Sequence, residues 1–358
     1  MNILAISEMS LFKKLIIRGK NGTLGGIETN HKNLMRGLRK RGHRIIENKA
    51  FPKGQSPDII ICPTFGPISI LMIWFYKRKY NCACVQHAHT TQDDMAGGFL
   101  PDVLVKYAGT YLKHLYKFSE IIITPSVFSK ENLTRLEIPT RPPIYPVSNG
   151  VNLAKFKFSE RKREEFRQYL NDQHEIDKDR KVILCVSVLW ERKGVDVFYH
   201  VAKQFPEYEF VWVGNYITAK KLKERYDDLP NITFTGFVDD IVACYCGADA
   251  FFFPSRAENQ GIPLLEAAAC KLPILCRNLP TYSWLKDGIH CLKRDDLNGF
   301  VSGLKEIMAG ENLRNQLINN ALDNVQQHDI NKIINQVERI YKRAIKLRRR
   351  LLEMQHER

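Results

Sequence analysis

The chain has 358 residues, 44% hydrophobic and 26% charged, with a formal net charge of +15. That length exceeds the roughly 250–300 residues at which one core stops growing, so two domains are expected, and the composition excludes a disordered chain. The most apolar stretch, Ile68–Tyr76, is nine residues long, against about twenty for a membrane span; Met1–Ile6 is too short and uncharged for a signal peptide, so a cytoplasmic location is expected.

Strand and helix signals alternate from the start. Asn2–Ser7 is an apolar run, and Gly25-Gly26 precede a helical stretch over Glu28–Arg41 that stops at Gly42. Strands are predicted at Asp58–Cys62, Cys82–His87, Glu120–Thr124 and Tyr145–Val147, with a long amphipathic helix over Pro101–Phe118. Lys155–Arg180 is highly charged and lacks a strand signal, which marks 156–180 as a linker after a first domain over 1–155. A second series follows over 181–330. Its strands are Val182–Ser187, Glu209–Val213, Asn231–Phe234, Ala250–Phe253 and Pro273–Cys276. Helices are expected over Gly194–Phe205, Pro263–Cys270 and from Leu304 onward. Residues 331–358 form a basic helix able to cross back to the first domain. The β-α-β rhythm predicts an α/β fold of two Rossmann-like domains facing a cleft, with ligands beyond the carboxyl ends of the strands.

The charge is uneven. Residues 1–150 carry 21 Lys and Arg against 10 Asp and Glu; the remainder carries 33 against 29. A basic first half implies an anionic partner: nucleic acid, acidic lipid or phosphate. The nine cysteines include no C-x-x-C pair. Cys82/Cys84 and Cys244/Cys246 would share a face in a strand and lack zinc spacing, so reduced structural cysteines are expected.

Four segments carry candidate chemistry. The first runs from Phe251 to Ala267: a buried strand ends at Pro254, a polar loop carries Glu258 and Asn259, Gly261 admits close backbone approach, and Pro263 opens a helix with Glu266 in its first turn. The helix N-terminus favours phosphate, while carboxylates accept hydrogen bonds from the hydroxyls of a ribose or sugar. The plain alternative is a capped helix with two surface glutamates. The second segment, Leu189–Gly194, follows a strand; Arg192 and Lys193 can neutralise a diphosphate or form a solvated basic turn. The third, Gly25-Gly26 before a helix, allows contact with phosphate or acceptor but is not the dinucleotide pattern G-x-G-x-x-G. The fourth, Val85–Thr91, sets His87 and His89 at a strand end; an H-x-H pair can bind metal or be structural, and no third ligand is evident.

Together these residues resemble glycosyltransferase family 4, the retaining nucleotide-sugar enzymes of the GT-B fold. The likeness covers Gly25-Gly26, His89, Ser148–Val151, Arg192–Gly194, Gly236 and Glu258–Pro273. It implies that Glu266 holds the ribose hydroxyls and Glu258 the donor sugar. The amides of Gly261, Ile262, Pro263 and Leu264, with Arg192 and Lys193, would hold the diphosphate. His89 would face the reacting centre, leaving His89, Glu258 and Lys193 as the catalytic candidates, and Gly25 and Gly26 would line the acceptor or phosphate side. Gln86–Asp94, Glu191–Gly194, Gly247–Asp249, Phe251–Ser255 and Trp284–Gly288 are similar to bacterial glycosyltransferases that act on diacylglycerol or its monoglucoside. The sequence departs from the family at Val188, where an Arg is common, and at Lys271, where a Gly is common.

The resemblance also implies a hexosyltransferase without cofactor or metal, since Asp93-Asp94, Asp239-Asp240 and Asp295-Asp296 lack a metal-site context. The acceptor would attack from the face the leaving diphosphate vacates, with that diphosphate stabilised electrostatically. UDP-hexose is the favoured donor and a glycolipid or lipid-linked compound the favoured acceptor; a glycan precursor is the alternative. Leu11–Lys20, the 101–118 helix with Lys106, Lys113 and Lys117, and Ile68–Tyr76 followed by Lys77-Arg78-Lys79 mix apolar and cationic residues. They suit peripheral docking on the inner face of an anionic membrane, or are simply core with solvated lysines. A nucleic-acid partner is not expected, because no recognisable binding motif is present. A non-catalytic nucleotide-sugar sensor is the rival from another class.

Overall fold

The structure is a computed structural model that describes residues 1–8, 26–89, 102–216 and 219–357. They form two compact units: Met1–Asn149 with Ile330–Arg358, and Gly150–Asp329. The stretch Leu11–Lys20 and the sequence from Thr90 to Asp94 lie outside the described residues, as does Gly25.

The first unit is built on six parallel strands: β1 (Asn2–Ala5), β2 (Arg44–Glu47), β3 (Ile59–Cys62), β4 (Ala83–His87), β5 (Ile121–Thr124) and β6 (Ile144–Pro146), in the order β2-β1-β3-β4-β5-β6. Runs such as Ile59-Ile60-Ile61 are apolar on both faces because helices cover both faces. Ile3, Ile59, Ile61 and Val85 pack with Leu34 and Leu38 of α1 (Gly26–Lys40) and with Ile333, Val337 and Tyr341 of the C-terminal helix Ile330–His356. Leu4, Ile60, Cys84 and Ile122 pack on the other face with Ile73 of α2 (Pro67–Tyr80) and with Leu112 and Leu115 of α3 (Asp102–Tyr116). α4 (Val127–Arg135) is capped by Ser126, whose side chain accepts from the Ser129 N–H.

The second unit repeats the plan. Its strands are β7 (Val182–Val186), β8 (Glu209–Val213), β9 (Ile232–Gly236), β10 (Ala250–Phe253), β11 (Ile274–Arg277) and β12 (Leu292–Arg294), in the order β12-β11-β10-β7-β8-β9. All pairings are parallel. The helices are α5 (Glu160–His174), α6 (Val195–Ala202), α7 (Lys220–Tyr226), α8 (Ile241–Gly247), α9 (Ile262–Ala269), α10 (Leu297–Ala309) and α11 (Glu311–Val325).

Several expectations change. The segment 156–180 is not a linker: α5 belongs to the second unit. Phe166 and Leu170, one turn apart, enter its core, and Gly247 fits only because it has no side chain to strike Phe166. The charges around that narrow stripe are used locally. Arg163 Nη2 and Arg167 Nη2 donate to Asp249 at 2.8 and 2.6 Å, and Asp249 also accepts the Val182 N–H at 2.8 Å. Cys244 and Cys246 lie on helix α8, not on a strand, because Asp240 caps that segment by accepting from the Val242 and Ala243 N–H groups. All nine cysteines are buried and free. β2 and β12, short edge strands with mixed charge, and helix α2 went unread in the sequence. Among the described residues no helix is long and apolar enough to cross a membrane.

Candidate functional site

Strands β7 and β10 are neighbours in the second sheet, so the loops at their carboxyl ends lie side by side. Two glycines let them meet. Gly194, at φ +79°, would drive a Cβ to 2.5 Å from Pro254 O. Gly261, at φ +74°, caps α9 in the left-handed conformation. A backbone bond from Arg256 N to Arg192 O at 2.8 Å ties the loops together. Arg256 also clamps Asp196 of α6 with two bonds, at 2.8 and 2.5 Å.

Inside this frame the structure brings the predicted charges together. Lys193 Nζ pairs with Glu258 Oε1, and the two side chains are only 12% and 13% exposed. Fully buried Ser255 donates its hydroxyl to the same oxygen at 3.0 Å. Arg192 spans the loops, donating to Ala257 O at 2.8 Å while its guanidinium lies 5.1 Å from the Trp190 ring centroid. Its Nε is buried without a hydrogen-bond partner among the described residues. Asn259 offers its carbonyl to Thr281 Oγ1 at 2.6 Å.

Glu266 is set apart from that pair. It lies in the second turn of α9 rather than the first, because the helix begins at Ile262. Tyr245, fully buried on α8, donates its hydroxyl to Glu266 Oε2 at 2.7 Å. Burial pushes the Glu266 carboxyl up to about 7, against the opposing pull of the Tyr245 hydrogen bond and the Lys155 charge. The amides at the helix start are fewer than expected. Pro263 has no N–H, and the Leu264 N–H donates to Gly261 O at 2.9 Å, so Gly261 and Ile262 are the two left to face a ligand.

His89 belongs to the first unit, with His87 at the end of β4. A small pocket opens there, at the carboxyl ends of β4 and β5, lined by His87, His89, Asn30 of α1, Thr124, Ser148 and Asn149, with Ile330, Ile333 and Val337 of the C-terminal helix. His87 Nε2 shares a hydrogen bond with Tyr341 OH at 2.7 Å. The two imidazoles stack at 6.0 Å between centroids. Burial, and then the His31 charge, lower His89 to about 4, so this ring is neutral at physiological pH. Asn30 Nδ2 donates to Asn149 O at 2.6 Å, which ties α1 to the Ser148-Asn149-Gly150 turn. Gly26 begins α1. Among the described residues no group of three or more His, Cys, Asp and Glu side chains is placed to hold a metal ion.

The comparisons with known proteins agree with this architecture. The family described as glycosyl transferases group 1 matches residues 166–323, and glycosyltransferase family 4 matches residues 49–155. A processive diacylglycerol alpha-glucosyltransferase of Acholeplasma laidlawii is 29% identical over 282 residues, 76% of this chain and 82% of that protein. The chain is a glycosyltransferase with a family 4 domain and a group 1 domain. This glycosyltransferase is also 28% identical, over 79% of its length and 75% of the relative's, to an N,N'-diacetylbacillosaminyl-diphospho-undecaprenol alpha-1,3-N-acetylgalactosaminyltransferase of Campylobacter jejuni. Its fold is GT-B. It superposes on the sucrose-phosphate synthase of Thermosynechococcus elongatus with a TM-score of 0.78 at 16% identity, covering 96% of this chain and 99% of that one. Anabaena HepE, solved in complex with UDP-glucose, gives 0.73 at 16% identity, covering 96% and 99%.

Three residues of the glycosyltransferase's site escaped sequence reasoning: Tyr245, Ser255 and Thr281. Ser255 stood inside the strongest motif and could have been named as a Glu258 partner. Tyr245 and Thr281 carry no local signal, since each meets its partner 21 or 22 residues away.

Proposed function

We propose that this glycosyltransferase moves a hexose, with retention, from a nucleotide-diphosphate sugar to a membrane glycolipid or lipid-linked acceptor. The observation that carries the donor half is the Lys193–Glu258 pair beside the start of α9. In the donor-free chain these two groups neutralise one another. A diphosphate draws Lys193 and Arg192 toward its oxygens and frees the Glu258 carboxylate for sugar hydroxyls. Glu266, once ionised, accepts from the ribose hydroxyls. The Gly261 and Ile262 amides add a phosphate-facing helix start. UDP is the favoured nucleotide; HepE, which shares this fold, was solved with UDP-glucose. No divalent ion is needed in this reading, because cationic side chains and amides take the leaving charge. Neutral His89 remains the candidate to face the reacting centre.

The acceptor half rests on helix α2. Ile68, Leu71, Trp74 and Phe75 recur on one stripe and are 41% to 65% exposed. Arg78 stands over the Trp74 ring at 5.1 Å and Lys79 over the Phe75 ring at 5.9 Å. An apolar stripe edged by cations fits the interface of an anionic bilayer, and the A. laidlawii relative is named for a diacylglycerol acceptor. The enzyme would then work peripherally, on the inner face of the cell membrane.

The test is nucleotide release from a panel of UDP- and GDP-sugars, with diacylglycerol, monoglucosyldiacylglycerol, a polyprenyl-diphosphate sugar and a soluble glycan as acceptors. A lipid acceptor should stimulate release, undiminished by EDTA, and the anomeric configuration of the donor should persist in the product. Stimulation by the glycan alone would remove the lipid reading.

A further inference from the structure

Tyr282 is fully buried, and its hydroxyl has no hydrogen-bond partner among the described residues. It ends the short turn Pro280–Tyr282 that follows β11. Two contacts lock this turn to the donor loop. One is the bond from Thr281, itself buried, to Asn259 O at 2.6 Å. The other is steric: a Cβ built on Gly261 would lie 2.9 Å from Tyr282 Cε1, the ring carbon next to the one that bears the hydroxyl. Lys293 Nζ fixes the turn from behind, donating to Tyr282 O at 2.9 Å.

The hydroxyl therefore stands beside the first residues of α9, where the Gly261 and Ile262 amides face a ligand. Arg192 Nε, in the same site, is likewise buried and unpaired. Burying a hydroxyl without a partner costs stability, and native proteins keep few such groups. Burial, and then the Glu258 charge, hold the phenol well above its ordinary pKa, so the group stays protonated and able to donate. Glu258 Oε1 already has Lys193 and Ser255 as partners.

We propose that Tyr282 is a donor-binding residue whose hydroxyl donates to a diphosphate oxygen of the bound nucleotide sugar, once the ligand displaces the donor-free packing of the 258–262 loop. Phosphate oxygens only accept hydrogen bonds, which matches a site that leaves two buried donors unpaired. The inference rests on the donor-site reading given above.

The experiment compares wild type with Tyr282→Phe, using calorimetry with UDP and GDP, ligand-observed NMR with uridine and guanosine, and thermal melts without ligand. The variant should melt at the same temperature or higher, because it loses an unpaired buried hydroxyl. Its affinity for the diphosphate that wild type binds should fall about tenfold or more, the worth of one hydrogen bond to a charged group. Nucleoside binding should not change. Unchanged diphosphate affinity would overturn the proposal, as would equal losses for nucleoside and diphosphate or a lowered melting temperature. A wild type that binds neither diphosphate would overturn the donor-site reading itself, and this proposal with it.

Discussion

The two units share one architecture and treat their polar and apolar surface in opposite ways. In the second unit the functional charges are already paired: Lys193 with Glu258, Tyr245 with Glu266, Arg256 with Asp196. In the first unit helix α2 leaves Leu71 65% and Phe75 52% exposed. The contrast fits the proposed donor and acceptor sides. A nucleotide diphosphate is small, highly charged and of fixed shape, so a site of preset hydrogen bonds suits it. A lipid surface has no fixed shape, and exposed apolar area with flexible cations suits it better.

Four measurements would break or sharpen that comparison. The largest effect is expected for Glu258→Ala. It removes the proposed sugar-side carboxylate and its ion pair with Lys193, so kcat/KM for transfer should fall about a hundredfold to a thousandfold. A fall below tenfold would mean that the paired charges of the second unit are structural.

Next comes Glu266→Ala, which should weaken nucleotide-sugar binding by about tenfold to a hundredfold in calorimetry. Because the carboxyl is raised to about 7, donor affinity should strengthen as pH rises through that value. Stability runs the other way. The raised carboxyl adds stability below its ordinary value of 4.5, and that contribution is lost as pH climbs to about 7. Glu266→Gln should flatten both profiles, and profiles identical to wild type would disconnect Glu266 from the donor.

On the first unit, Trp74→Ser combined with Arg78→Ala and Lys79→Ala should weaken binding to anionic vesicles in flotation about thirtyfold or more, at roughly 1 kcal/mol per basic residue near the surface. The melting temperature should hold, since these side chains are exposed. Equal flotation would leave α2 as mere surface.

The smallest effect concerns Lys271, which adopts φ +60° just beyond α9. Lys271→Gly should relieve about 1 kcal/mol of left-handed strain and raise the melting temperature by about 2–4 °C. A drop would show that the lysine side chain contributes more than its backbone costs.

Much of the fold was legible. Strands such as Ile59–Cys62 and Ala250–Phe253 are apolar on both faces and stand between turn residues, which marks buried parallel strands. The first half of the candidate site was equally plain, because a strand, a polar loop, a glycine and a proline-led helix follow one another in the chain. Helix α5 misled because its stripe of Phe166 and Leu170 is narrow against its charges. β2 and β12 were missed because Arg44-Ile45-Ile46-Glu47 and Leu292-Lys293-Arg294 offer only two and one apolar residues, too few for a strand signal.

By itself the sequence determined which residue types reach the ligand end of each sheet: Glu258 and Glu266 around Gly261, Arg192 and Lys193 before Gly194, His87 and His89 at the end of β4. Periodicity and turn chemistry act over a few residues, so they specify such local arrangements directly. Only the tertiary structure decided who partners whom. Lys193 reaches Glu258 across 65 positions because the sheet order sets β7 beside β10. The C-terminal helix returns to the first unit because Ile333, Val337 and Tyr341 complete an apolar face there that α1 covers in part. Among the described residues Tyr282 has no partner for its buried hydroxyl, and its ring lies against Gly261. Pairing and its absence are properties of positions in space, and no local pattern encodes them.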